Sequence, residues 1–233
     1  MHHTYAMAVS KRIAAIRALV DAKKTYSLAE AVPLIKKTST TKFDGMVEIH
    51  IKLGIDPKKG EQQVRGTISL PHGTGKTKRV VAFVNGEKMK DAKEAGADIV
   101  GAEDIIDALA KTGKIDFDIA VATPDMMPKL AKVAKILGPR GLMPNPKTDT
   151  VGTNVKKMIE ELKKGKISFK NDDTGNVHIS VGKASFSEAQ LQENISVALD
   201  ALRKAKPASS KGSYFGNVTL SSTMGPGIKV QVS

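Results

Sequence analysis

Apolar positions near the start of the chain recur at helical spacing. Ile13, Ile16, Leu19 and Val20 lie between Met7 and Lys24 and predict a first helix. A second is predicted from Ser27, whose hydroxyl can bond the amide of Glu30 while the Glu30 carboxylate reaches back. Pro33 inside that helix should kink it or mark where its regular part begins. The period then shortens to two. The run MVEIHIKL (46–53) is β-rich and its second half alternates, as a half-buried strand does. DPKKGEQQ, with Pro57 and Gly60, is a loop, GTISL (66–70) a second strand, and PHGTG ends it.

From Thr74 to Lys164 strands alternate with helices. A β-branched run covers 79–84, a polar helix 87–95, a short strand 99–100 and a helix 103–110. A strand over 118–122, a helix over 124–137 and another over 154–164 follow. This βαβ grammar implies a parallel sheet in a three-layer domain with right-handed crossovers. After Gly165 the pattern returns to antiparallel β. Strands at 166–170 and 177–181 flank NDDTGN, whose Thr174-Gly175 has hairpin-turn chemistry. A helix over 187–206 carries Leu191, Ile195, Ala198, Leu199 and Leu202 on one face, and strands over 212–222 and 228–232 surround MGPG. The expected fold class is therefore mixed, α/β and α+β. A discontinuous α+β domain made of both chain ends (1–73 and 165–233) carries an inserted three-layer Rossmann-like α/β domain (74–164). No internal repeat or low-complexity tract is evident.

Composition narrows the chemistry. The 233 residues hold 37 Lys and Arg against 24 Asp and Glu, a net charge of +13, and no Cys. Without Cys there is no disulfide scaffold, thiolate nucleophile or Cys-ligated metal site. No apolar run approaches the roughly 20 residues that span a bilayer, and MHHTYAMAVSKR lacks the plan of a signal peptide. A soluble cytoplasmic protein with a polyanionic partner, and no membrane, is expected. Divided at the boundaries above, the two chain ends hold +9 and the middle +4. The terminal domain is then the better electrostatic candidate for nucleic acid.

Each conspicuous motif has a bland reading beside a sharp one. GTGKT (73–77) imitates a phosphate loop, but the early glycine of G-x-x-x-x-G-K-[ST] is replaced by Leu70, and Pro71 removes an amide donor. A basic hinge between domains is the alternative. The strand at 79–84 leads into Asn85-Gly86-Glu87 with no dinucleotide fingerprint, so no cofactor is expected. His2, His3, His50, His72 and His178 lack the pairing of a metal site, and no catalytic or metal residue is expected. ILGPRGLMPNPKTDTVG (136–152) intersperses prolines and glycines, with Arg140 and Lys147 as cations. It suits either anion contact or a rigid connector. SSTMGPGIKV (221–230) joins hydroxyls, a bare glycine and an apolar Met. That is chemistry for an RNA groove, or simply a tight turn.

These segments together resemble a known family. KFDGMVEIHIKLGIDPKKGEQQVRGTISLPHGTGK, EAGAD, ILGPRGLMPNPKTDTVG, FKNDDTGNVH, VGKASF and STMGPG occur in order over almost the whole chain. They look like the bacterial L-one family of large-subunit ribosomal proteins, the family of the mobile stalk. Only the first residues depart from it, and His2-His3 reads as an added or extended start. The resemblance implies a non-enzymatic component of the large ribosomal subunit, monomeric when free. It would bind rRNA through the terminal domain, assist release of deacylated tRNA from the exit site, and repress translation of its own operon by binding the mRNA. It also implies an RNA-binding strip of Thr223, Met224 and Gly225, a second patch of Lys42 and Phe43, and further contacts at Lys170, Asn171 and Asp172. In this reading Thr223 hydrogen-bonds RNA, Gly225 permits close approach, and Phe43 stacks on a ribose or supports the core. Hinge motion is expected about the crossings at 73–76 and 163–166. A nucleotide-dependent enzyme built on 73–77 and 138–147, and a DNA-binding regulator, are the competing classes; no helix-turn-helix or basic zipper supports the latter.

Overall fold

The computed structural model describes residues 10–86 and 88–232. His2, His3, the Met7 end of the first predicted helix and Glu87 lie outside them. The chain divides into two compact units, 1–64 with 169–233, and 65–168.

The terminal unit opens with α1 (Lys11–Ala18), capped by Ser10, and α2 (Leu28–Thr38). Ser27 and Glu30 form the full capping box, and α2 continues through Pro33. Strand β1 (Met46–Leu53) follows. Its Val47, Ile49, Ile51 and Leu53 are buried, while Glu48, His50 and Lys52 point the other way.

The second unit begins with β2 (Arg65–Ser69) and β3 (Val80–Phe83). Then come α3 (Lys88–Glu94), β4 (Ile99–Gly101), α4 (Glu103–Thr112) and β5 (Ile119–Ala122). The parallel sheet has the order β4-β3-β5. Alternate residues of β3 separate two cores: Val81 and Phe83 join Ile106, Leu109, Met126, Leu130 and Leu137. Val80 and Ala82 join Ala92, Val155, Ile159 and Leu162 on the other face. That alternation creates the three layers. The continuous helix predicted over 124–137 is instead broken. It consists of α5 (Met127–Leu130) and α6 (Ala134–Leu137) with single 3-10 turns at Pro124–Met126 and Ala131–Val133. Pro124 and Pro128 cannot donate to an α-helical ladder, and tighter turns take its place. α7 (Val155–Lys163), capped by Asn154, completes the unit with the start of β6 (Lys166–Lys170).

β7 (Asn176–Lys183), α8 (Glu188–Lys204), β8 (Phe215–Ser222) and β9 (Ile228–Val230) finish the terminal unit. Its sheet has the antiparallel order β7-β1-β8-β9, with α2 and α8 packed on it. Here a second expectation fails. β6 and β7 do not form a hairpin, because β6 pairs with β2 and β7 with β1. The Asp172 carboxylate explains the turn between them. It accepts from the Thr174 amide and hydroxyl (both 2.9 Å) and from the amide of Asn176 (2.7 Å), a self-contained Asx turn needing no ladder beyond it.

The division also falls at 64/65 and 168/169 rather than 73/74 and 164/165. Both connecting strands are tied into the second unit. Lys166 reaches Glu161 (2.8 Å) and Asp149 (3.0 Å), and Thr67 donates to Asp149 (3.3 Å). Gly73, the first glycine of GTGKT, lies against Gly165, where a Cβ would stand 2.5 Å from the Gly73 Cα. Its service here is close backbone approach.

Candidate nucleic-acid interface

The unit's sheet brings the two leading motifs together. The turn after β8 and the loop before β1 meet through Thr223, whose amide donates to the Met46 carbonyl (2.9 Å). The Met46 amide in turn donates to Thr223 Oγ1 (2.9 Å), and Thr223 Oγ1 lies 3.3 Å from the Met46 carbonyl. The Thr223 hydroxyl thus both accepts and donates within the protein, where RNA hydrogen bonding was expected of it. Its first work is to lock two loops separated by 177 residues of sequence.

What these loops present outward is apolar. Only three large hydrophobic side chains are exposed among the described residues, Leu19, Phe43 and Met224. Phe43 is 56% and Met224 63% accessible, so Phe43 does not support the core. Met224 also has φ of +61°, a left-handed conformation that costs a side-chain-bearing residue roughly 1–2 kcal/mol. Glycine would avoid that cost, so the strain purchases display of a thioether side chain on a surface. Gly225 has an internal reason to be small: a Cβ there would collide with Ser222 Oγ, a buried hydroxyl with no hydrogen-bond partner among the described residues. Close approach of RNA is not needed to explain it.

Cations surround the pair. Lys42 is exposed beside Phe43, and Arg12 of α1 donates to the Met224 carbonyl and to Thr40 Oγ1, each at 3.3 Å. Asp44 beside them is an ionised carboxylate engaged by its own partners. Bonds from the Ser185 hydroxyl (2.8 Å) and amide (3.1 Å), with Lys183 at 3.7 Å, hold its carboxyl below the ordinary range.

Lys170, Asn171 and Asp172 stand elsewhere, beyond the opposite end of β1, roughly 20 Å along the strand at 3.3 Å per residue. Asn171 is buried; it accepts from the Val64 amide (2.8 Å) and donates to the Asp172 carbonyl (2.9 Å). The Asn176 and Thr174 amides and side chains hold the Asp172 carboxyl far below its usual range. Both side chains build the turn. Lys170 alone of the three is a free-standing, exposed cation in its contacts among the described residues.

Between the two ends, the sheet's outer face carries a pair that sequence reasoning passed over. His50 and His178 are register partners, with Nδ1 atoms 2.8 Å apart, and His50 Nε2 lies 2.9 Å from Ser221 Oγ. Burial, and then His178, depress the His50 pKa, against the pull of Glu48 at 3.9 Å. Arg12 was missed as well. Its partners lie 28 and 212 residues away, and no local signal announces them.

Comparison with known proteins decides the lineage. The model of the ribosomal protein L1p/L10e family matches residues 35–226. The chain belongs to this family. The large ribosomal subunit protein uL1 of Fervidobacterium nodosum is 54% identical over 96% of this chain and 95% of its own. That of Mesoplasma florum is 52% identical over 97% and 99%, and that of Thermosipho melanesiensis 55% over 95% of each chain. Membership makes this a structural ribosomal protein of the large subunit and not an enzyme. The close approach of Gly73 to Gly165 accounts for that glycine without a nucleotide.

Proposed function

We propose that this protein binds large-subunit rRNA directly at the mobile stalk, with the terminal unit as its RNA-binding part. The carrying observation is the coincidence of Phe43 and Met224, two of the three exposed large hydrophobics among the described residues, on loops joined by the Met46–Thr223 bonds and bordered by Lys42. Lys42 attracts phosphate, while the apolar pair packs on ribose or an unstacked base. Such contacts read RNA shape and need no base code. Thr223 and Gly225 shape the strip from within, and Lys170 adds a phosphate contact at the far end of the sheet. Asn171 and Asp172 keep that lysine's strand in place.

In the same reading the protein works on bacterial ribosomes in the cytoplasm. It assists release of deacylated tRNA from the exit site, and represses its own operon by binding an mRNA structure similar to its rRNA site. It is monomeric when free. Identities of 52–55% over nearly whole chains with large-subunit uL1 proteins support the ribosomal part of this reading.

Filter binding to a stalk rRNA fragment at fixed salt tests the strip. Phe43→Ala should weaken binding about tenfold, the scale of one lost base or sugar contact at 1–3 kcal/mol, with an unchanged circular dichroism spectrum. Wild-type affinity in the folded variant would refute it.

A further inference from the structure

We propose that Arg12 is a positioning residue that sets the Thr223–Gly225 turn for RNA before RNA arrives; this rests on the RNA reading of that turn. The two bonds of its guanidinium run in different directions along the chain, to Thr40 Oγ1 and to the Met224 carbonyl. One planar group thereby ties α1 to both loops of the strip. The bond to Met224 lands on the residue that is left-handed and has no glycine's freedom. Thr223 fixes the turn on the side toward β1, through Met46. Arg12 fixes its outer side, where the side chain of Met224 is exposed and nothing else among the described contacts holds its backbone.

The helix that carries Arg12 is itself lightly held. Ile16 is the sole buried residue of α1, and the rest of the helix is exposed or half-buried. Docking of α1 and the shape of the strip are therefore coupled: where the helix loosens, the turn loses its outer tether. A lysine cannot replace this device. Its ammonium keeps the charge but lacks the fork that spans two acceptors.

Two measurements test the clamp. The first needs no RNA: amide exchange in free wild-type and Arg12→Lys protein. The amides of Thr223 and Gly225, bonded to Met46 and Ser222 carbonyls, should exchange about fivefold faster in the variant, while those of β1 stay as they are. Equal rates would overturn the clamp whatever RNA does. The second is the salt dependence of rRNA-fragment binding. Arg12→Lys should lose about fivefold in affinity with the slope of log K against log salt unchanged, and Arg12→Met should lose affinity with that same slope. A slope reduced by about one in Arg12→Met would make Arg12 a phosphate contact instead and overturn the positioning role. Failure of the strip reading is separate, since it would appear as wild-type binding by Phe43→Ala.

Discussion

Three adjacent residues of the 221–230 segment do three different jobs, and only one of them faces outward. Thr223 ties loops, Gly225 avoids Ser222, and Met224 is displayed at a conformational cost. The residue types marked this segment in the sequence, but not the division of labour. Hydroxyl and glycine look alike as ligand-binding chemistry and as turn chemistry until the Met46 backbone and Ser222 are in place. Met224→Gly separates the roles. Relief of the left-handed strain should leave the thermal midpoint at or above wild type, while rRNA-fragment affinity falls about tenfold. A lowered midpoint in a melting curve would contradict the strain argument, and unchanged affinity the display argument. Gly225→Ala should lower the midpoint through the clash with Ser222 Oγ, and Ser222→Ala should restore part of it. No recovery in the double variant would place the clash elsewhere.

At the scale of elements, most strands and helices were legible because one face of each is buried at period 2 or 3.6. The capping box at Ser27 and the alternation in β1 are examples. Partnership was less legible. NDDTGN carries hairpin chemistry, yet that chemistry closes on itself through Asp172, and the flanking strands enter different sheets. A side-chain turn needs no pairing beyond it, so local signals could not tell which strand β7 would join. That also concealed His50 and His178 from each other. Two predictions belong here. Asn171→Ala leaves the buried Val64 amide without its acceptor, a cost of about 1–3 kcal/mol. Denaturant unfolding should register that loss; full stability would contradict the bridging role.

The histidine pair predicts a pH effect of definite sign. The folded-state pKa of His50 lies below its usual value, so the unfolded chain takes up a proton first as pH falls. The stabilisation is present above about pH 6.5, the unfolded value, and is lost as pH falls through the lower folded value. Wild type should lose thermal stability between pH 7.5 and 5.5 more steeply than His50→Gln. Parallel profiles would remove His50 as the titrating group. Glu48, 3.9 Å from His50, moderates the effect.

For the whole molecule, net charge of +13 drew attention to a polyanion, but its apportionment depended on the boundaries used. Arg65 and Lys166 lie on the connecting strands that pack with the second unit. At the structural boundaries the terminal unit holds 18 basic and 11 acidic residues, net +7, and the other 19 and 13, net +6. Charge alone no longer selects a unit. The assignment of RNA to the chain ends stands on the exposed Phe43 and Met224 and the cation beside them. The most direct measurement is therefore a salt series of stalk rRNA-fragment binding to wild type, Lys42→Gln and Lys132→Gln, one exposed cation removed from each unit. The account predicts that Lys42→Gln weakens binding and lowers the slope of log K against log salt by about one, while Lys132→Gln changes neither. An equal loss of slope in Lys132→Gln, or an unchanged slope in Lys42→Gln, would contradict it.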